Sequence, residues 1–99
     1  MPSLLTPDES EKLLASRVKM LRLRAGYKRS TLAKRAGVSE ASLKRFETSG
    51  QVSLKNLLRL AYALGRLEEF ADLFIQPEAT SLSELQANSR ASVPKRGKI

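Results

Sequence analysis

The sequence predicts an all-α bundle of five short helices with a flexible, basic C-terminal tail. Three observations carry that prediction. Apolar residues recur at three- and four-residue steps in one segment after another, the spacing of one helix face. Ser or Thr precedes most of these segments and Gly closes them, as helix caps require. No stretch alternates apolar and polar residues long enough for a strand.

Thr6-Pro7-Asp8-Glu9 reads as a helix start, with Thr6 as cap, Pro7 at the first helical position and Glu9 completing a capping box. Leu14, Val18, Leu21 and Ala25 then form one apolar stripe, and Gly26 stops the helix. Ser30 is expected to cap a second, short helix, Thr31 to Ala36, with Leu32, Ala33 and Ala36 inward and Gly37 at its end. Ser39 caps a third, from Glu40 to about Thr48, with Leu43 and Phe46 inward. Thr48-Ser49-Gly50-Gln51 has loop composition. Ser53 caps a fourth helix whose stripe is Leu54, Leu57, Leu58, Ala61 and Leu64, closed by Gly65. A fifth is expected to place Leu67, Phe70, Ala71 and Phe74 inward and to end before Pro77. Ser81-Leu82-Ser83-Glu84 can cap a further turn or two, and Arg90 to Ile99 is basic with little to bury, the composition of a disordered end. The chain thus divides into the N-terminal part of the first helix (1–15), a helical domain (16–76) and a C-terminal extension (77–99).

A chain of 99 residues with a hydrophobic fraction of 41% makes one domain. It contains no cysteine and no histidine. A disulfide framework and thiolate or imidazole metal sites are thereby excluded, and the usual general base is missing. The expectation is a protein that is not an enzyme and uses no cofactor or metal. The apolar runs fall far short of the roughly 20 residues of a membrane span, and MPSLLTPDES lacks the layout of a signal peptide. A cytoplasmic protein without membrane contact is expected.

The net charge is +8, and its placement is uneven. From Arg17 to Arg66 there are thirteen Lys/Arg against two acids, Glu40 and Glu47. The other acids flank this block. A basic centre between more acidic ends is the footprint of a polyanion binder, and equally of a solvated basic face.

The segment LAKRAGVSEASLKRFETSG separates these two readings. Isolated helices under about 12 residues are marginal in water, so the second and third must pack on each other and on a neighbour. Gly37 permits a sharp left-handed corner, Val38 plugs it and Ser39 caps the next helix. Two helices at a steep angle result, one holding the other outward. With Leu43 and Phe46 inward, the third helix turns Glu40, Ala41, Lys44 and Arg45 outward, with Ser42 nearer the edge. These groups read base edges: Arg pairs bidentately with guanine, Glu accepts from cytosine and a methyl meets thymine.

The run RVKMLRLRAGYKRSTLAKRAGVSEASLKRFETSGQVSLKNLLRLAYALG resembles the lambda-repressor-like, or Xre-type, helix-turn-helix domain. The likeness covers about residues 16 to 66, and its markers are Leu32-Ala33, Ala36-Gly37-Val38-Ser39, Leu43, Phe46-Glu47 and Ala63-Leu64-Gly65. It implies base reading by Glu40, Ala41 and Arg45, with Lys44 close by. Ser42, Thr48, Ser49 and Lys55 match positions facing the sugar-phosphate backbone. Arg29 stands where the family usually has a Gln that binds phosphate and orients the recognition helix; Arg29 either binds phosphate or reaches Glu40. Arg22 and Glu47 match a structural salt bridge between the first and third helices. Arg17 and Arg24 share a face of the first helix, as phosphate contacts or as solvated charges.

The same resemblance implies a homodimer on an inverted-repeat operator in double-stranded DNA. Leu60, Tyr62, Leu67, Leu73 and Ile75 exceed what five such helices need inward and offer a dimer surface. LLRLAYALGRLEEFADLF, followed by Pro77, Ser81-Leu82-Ser83-Glu84-Leu85 and a basic tail, is similar to HipB-type antitoxins, which are encoded beside HipA-type Ser/Thr kinase toxins. That likeness implies a repressor of its own operon that also binds the kinase. Two alternatives stand beside it: an Xre-type regulator of an operon unrelated to a toxin, and a helical protein-interaction module.

Overall fold

The computed structural model describes residues 4–76, so the expected turn at Ser81–Glu84 and the basic tail lie outside the described residues. Five helices follow in order: α1 Pro7–Arg24, α2 Arg29–Ala36, α3 Glu40–Ser49, α4 Leu54–Ala63 and α5 Glu68–Ala71. Among the described residues there is no strand.

Local chemistry sets most of the boundaries. Thr6 Oγ1 accepts the Glu9 N–H at 3.1 Å, and Pro7 opens α1. Ser39 Oγ accepts from the Ser42 N–H at 3.0 Å and Ser53 Oγ from the Asn56 N–H at 3.1 Å, which satisfies an orphan donor at the start of α3 and of α4. The second helix departs from expectation. It starts at Arg29 on Lys28, without a side-chain cap, and Ser30 lies inside it. A tertiary contact through Arg29, described below, holds that end instead.

The turn after α2 closes as a Schellman motif. The Val38 N–H reaches the Ala33 carbonyl at 3.0 Å and the Gly37 N–H the Lys34 carbonyl at 3.3 Å. Both bonds need the left-handed backbone that Gly37 adopts, with φ 72°. From the far side, Arg59 of α4 donates through Nη1 to the Gly37 carbonyl at 3.3 Å.

The core is built on α3. Phe46 and Leu43 are fully buried with Leu32 of α2 and Leu60 of α4, and Ala15, Val18, Ala33, Leu57 and Ala61 complete it. α1 packs on α3, and α2 on both α3 and α4. Ala33, at 3% exposure, is small where α2 meets its neighbours.

Several expectations about inward faces are corrected. On α1 the buried face is Ala15, Val18 and Arg22, while Leu14 is 40% exposed. Leu14 and Leu21 turn instead toward a groove of about 270 Å³ between α1, α4 and α5, shared with Leu57, Leu64, Phe70 and Leu73. On α4 Leu54 is exposed, and Leu60, assigned above to a surface, is completely buried. α3 extends through Ser49, one residue past its expected end, so Ser49 is helical rather than loop. The fifth helix is only four residues long. Of its expected stripe Phe70 alone packs on the core, Leu67 and Ala71 are exposed, and Phe74 is fully exposed at φ 61°. Phe70 and Leu73 face the groove, and among the described residues the remainder of the stripe is exposed.

Candidate nucleic-acid interface

The site begins with a buried charge. Arg22 is buried, at 6% exposure. Its guanidinium grips the carboxylate of Glu47 on α3 through Nε to Oε2 at 2.7 Å and Nη2 to Oε1 at 3.0 Å, and Nη1 donates to the Tyr27 carbonyl at 2.8 Å. Arg29, at the start of α2, adds Nε to Glu47 Oε1 at 3.0 Å. The Glu47 side chain is 1% exposed. Burial alone would push its carboxyl upward, but the hydrogen bonds from Arg22 and Arg29 and their charges outweigh it and hold the carboxyl below its usual value. No buried side-chain nitrogen or oxygen among the described residues lacks a partner.

Arg29 therefore reaches Glu47, not Glu40. One carboxylate thus joins the end of α1, the start of α2 and the inner side of α3. The angle between α2 and α3 is set by this tie as well as by Gly37. Arg29 keeps a third of its side chain in solvent, with both Nη groups free of the Glu47 contact.

Elsewhere on α3, Glu40, Ala41, Lys44 and Arg45 are all exposed, and Ser42 is half-buried beside them. With Glu47 enclosed, Glu40 is the one acid between Arg17 and Arg66 that faces solvent. Lys28, Lys34, Lys44 and Lys55 are exposed and make no ion pair among the described residues. α2, α3 and the start of α4 therefore present an excess of unneutralised positive charge.

The hydroxyls near this face differ in what they have left to offer. Ser39 donates to Ser42 Oγ at 2.7 Å, which leaves the Ser42 proton available to an acceptor in solvent. Thr48 donates to the Lys44 carbonyl at 2.8 Å and Ser49 to the Arg45 carbonyl at 2.6 Å, turning both back onto their own helix. Lys55 sits exposed in the first turn of α4.

Three contacts have no signal in the sequence. Gln51 Oε1 accepts from Arg45 Nε at 2.9 Å and also from Arg45 Nη2. Arg35 stacks over Tyr27 at 4.7 Å from the ring centre and donates to its hydroxyl at 3.1 Å. Arg59 holds the Gly37 carbonyl of the turn. Each joins segments whose approach only the fold creates.

The sequence profile of the family described as helix-turn-helix domain matches residues 13–73, from the second turn of α1 past the end of α5. The chain belongs to the helix-turn-helix domain family. The match supports the lambda-repressor-like, Xre-type assignment of the fold, with α2 and α3 as the helix-turn-helix pair and α3 as the exposed second helix. A DNA-binding role follows at that coarse level. A comparison with curated proteins gave no match. No helix among the described residues is long and apolar enough to cross a membrane, and no group of acidic residues among them could hold a metal ion.

Proposed function

We propose that this helix-turn-helix protein is a sequence-specific transcriptional repressor that binds an inverted-repeat operator in double-stranded DNA as a homodimer. The observation that carries this reading is the row Glu40, Ala41, Lys44 and Arg45, exposed on a helix that the Glu47 tie and the Gly37 turn hold outward. Those four residues read bases in the major groove. Arg29, Ser42, Thr48, Ser49 and Lys55 take the phosphates on either side, Thr48 and Ser49 after releasing their helix carbonyls.

The test is a salt titration of affinity for the DNA upstream of the chain's own gene, beside a scrambled duplex of equal length. Selective binding that survives at physiological salt is expected. Equal, steeply salt-dependent binding to both duplexes would reduce the site to a basic face. In the same assay Arg45→Ala is expected to lose about 1–3 kcal/mol and to relax one base position, whereas Lys55→Ala weakens all duplexes alike and lowers the salt slope.

One recognition helix spans few base pairs, so a dimer doubles the reading. Tyr62, at 73% exposure, and Leu67, Leu73 and Ile75 are all exposed apolar side chains of the α4–α5 region and supply candidate dimer contacts. Leu73→Asp is expected to shift the chain toward monomer in sedimentation and to weaken operator binding in step. A dimer that persists unchanged would place the interface elsewhere.

The finer reading is an antitoxin of the HipB type, cytoplasmic, repressing the operon that encodes it and a HipA-type kinase. What supports it is the likeness of Leu57 to Phe74 and of the extension through Leu85. Co-purification with the product of an adjacent kinase gene, and tighter operator binding by that complex, are the expected results. An operon without a kinase would make the chain a regulator of other genes.

A further inference from the structure

The base-reading arginine does not hang free. Arg45 lies in a shallow polar concavity of about 290 Å³ with Ser42, Gln51, Ser53 and Asn56, where the end of α3 faces the start of α4. Gln51 Oε1 accepts from both Nε and Nη2 of its guanidinium. Gln51 is itself positioned. Its N–H donates to Ser49 Oγ at 3.3 Å, a bond that uses the Ser49 oxygen and leaves the hydroxyl proton for another acceptor.

The stereochemistry of this contact matters. A guanidinium carries five N–H donors in a fixed planar fork. Nε–H and the adjacent Nη2–H form its side edge, and one oxygen of Gln51 occupies that edge. The end edge, one N–H from each Nη, stays open. That edge is a two-donor pair able to meet the O6 and N7 acceptors of a guanine. Held along its side, the guanidinium loses rotation about its terminal torsions and presents a plane fixed before DNA arrives, so less side-chain entropy is lost on contact.

We infer that Gln51 is a specificity-determining positioning residue, which orients Arg45 for one guanine without touching a base itself. The inference rests on the DNA-reading function proposed above and deepens it. Gln51 carries no charge, so its removal leaves the long-range attraction to phosphate unchanged and acts on discrimination alone.

The experiment selects duplexes from a library of randomised double-stranded DNA with the full chain, then measures wild type, Arg45→Ala, Gln51→Ala and Gln51→Glu on the selected duplex and its single-base variants. Wild type is expected to require guanine at one position of each half-site, and Arg45→Ala to abolish that requirement. Gln51→Ala should reduce the preference for that guanine about three- to tenfold, with affinity for a scrambled duplex and the salt slope unchanged. Gln51→Glu, which keeps the acceptor, should retain the guanine preference while binding every duplex more weakly through its added negative charge. Both residues are exposed, and thermal melting confirms that the variants stay folded. If Arg45→Ala removes the guanine requirement and Gln51→Ala does not, the role of Gln51 is overturned and base reading stands. A uniform loss of affinity in Gln51→Ala would also overturn it, as a structural effect. If wild type selects no consensus, base reading falls, and the role of Gln51 with it.

Discussion

Replacing Glu47 with alanine is expected to cost about 3–5 kcal/mol of folding stability, the range for breaking a buried ion pair by removing one partner. Arg22 sets the cost. Its side chain is 7% exposed and keeps only the Tyr27 carbonyl once Glu47 is gone, whereas Arg29, a third exposed, can turn to water. Replacing Arg22 and Glu47 together by methionine should be much milder, because no buried charge is left unpaired. Denaturant unfolding of both variants checks the pair. The double variant also loses the link from α2 to α3, so it should bind DNA less selectively while remaining folded.

The same carboxylate gives a pH signature. Its folded pKa lies below the usual value. The stabilisation is therefore complete above the unfolded pKa of about 4.3, and is lost as pH falls through the lower folded value. Wild type should lose stability on acidification below that point. Glu47→Gln, already destabilised at neutral pH, should show a flatter acid limb. An acid limb identical in the two proteins would mean that other carboxylates govern it.

The second large effect is expected at Gly50, where α3 ends at φ 82°. A Cβ there would lie 3.0 Å from the backbone carbon and Cβ of Glu11 and 3.2 Å from its carbonyl oxygen. Alanine would meet helix backbone, which cannot swing aside as a long side chain can. The left-handed backbone costs roughly 1–2 kcal/mol, and overpacking adds about 1–3, so Gly50→Ala should lose about 3 kcal/mol in all. Gly37→Ala is the control. It has nearly the same backbone, φ 72°, but nothing within 4 Å of an added Cβ, so only the backbone term of roughly 1–2 kcal/mol applies. Equal losses at the two sites would refute close approach of α1 to the end of α3.

Most helix boundaries were legible because caps are local. Thr6, Ser39 and Ser53 each bond an N–H three residues on, and Gly37 closes its own turn, so neighbours in the chain carry the whole signal. The second helix escaped this logic, since its start is held by Glu47 from another helix. The faces were legible only in part. On α1 a three-to-four spacing fits the stripe through Leu14 and Leu21 as well as the one through Ala15, Val18 and Arg22. The second won because it lets α1 approach Gly50 and seats Arg22 on Glu47. α5 shows the converse case, in which an apolar repeat gives only four residues of helix and Phe70 alone of its expected stripe packs on the core.

By itself the sequence determined an all-helical chain, a glycine corner between two short helices, and a cationic centre whose third helix turns Glu40, Ala41, Lys44 and Arg45 outward. Periodicity, caps and charge order are properties of neighbouring residues, and they survive without a fold. Only the tertiary structure decided that Arg29 joins Arg22 on Glu47, that Leu60 belongs to the core, that Gly50 admits α1, and that Gln51 holds Arg45 by one edge. Apart from the Gln51 contact these bring together groups far apart in the chain, and all four depend on how helices pack and how a chain turns after a helix end.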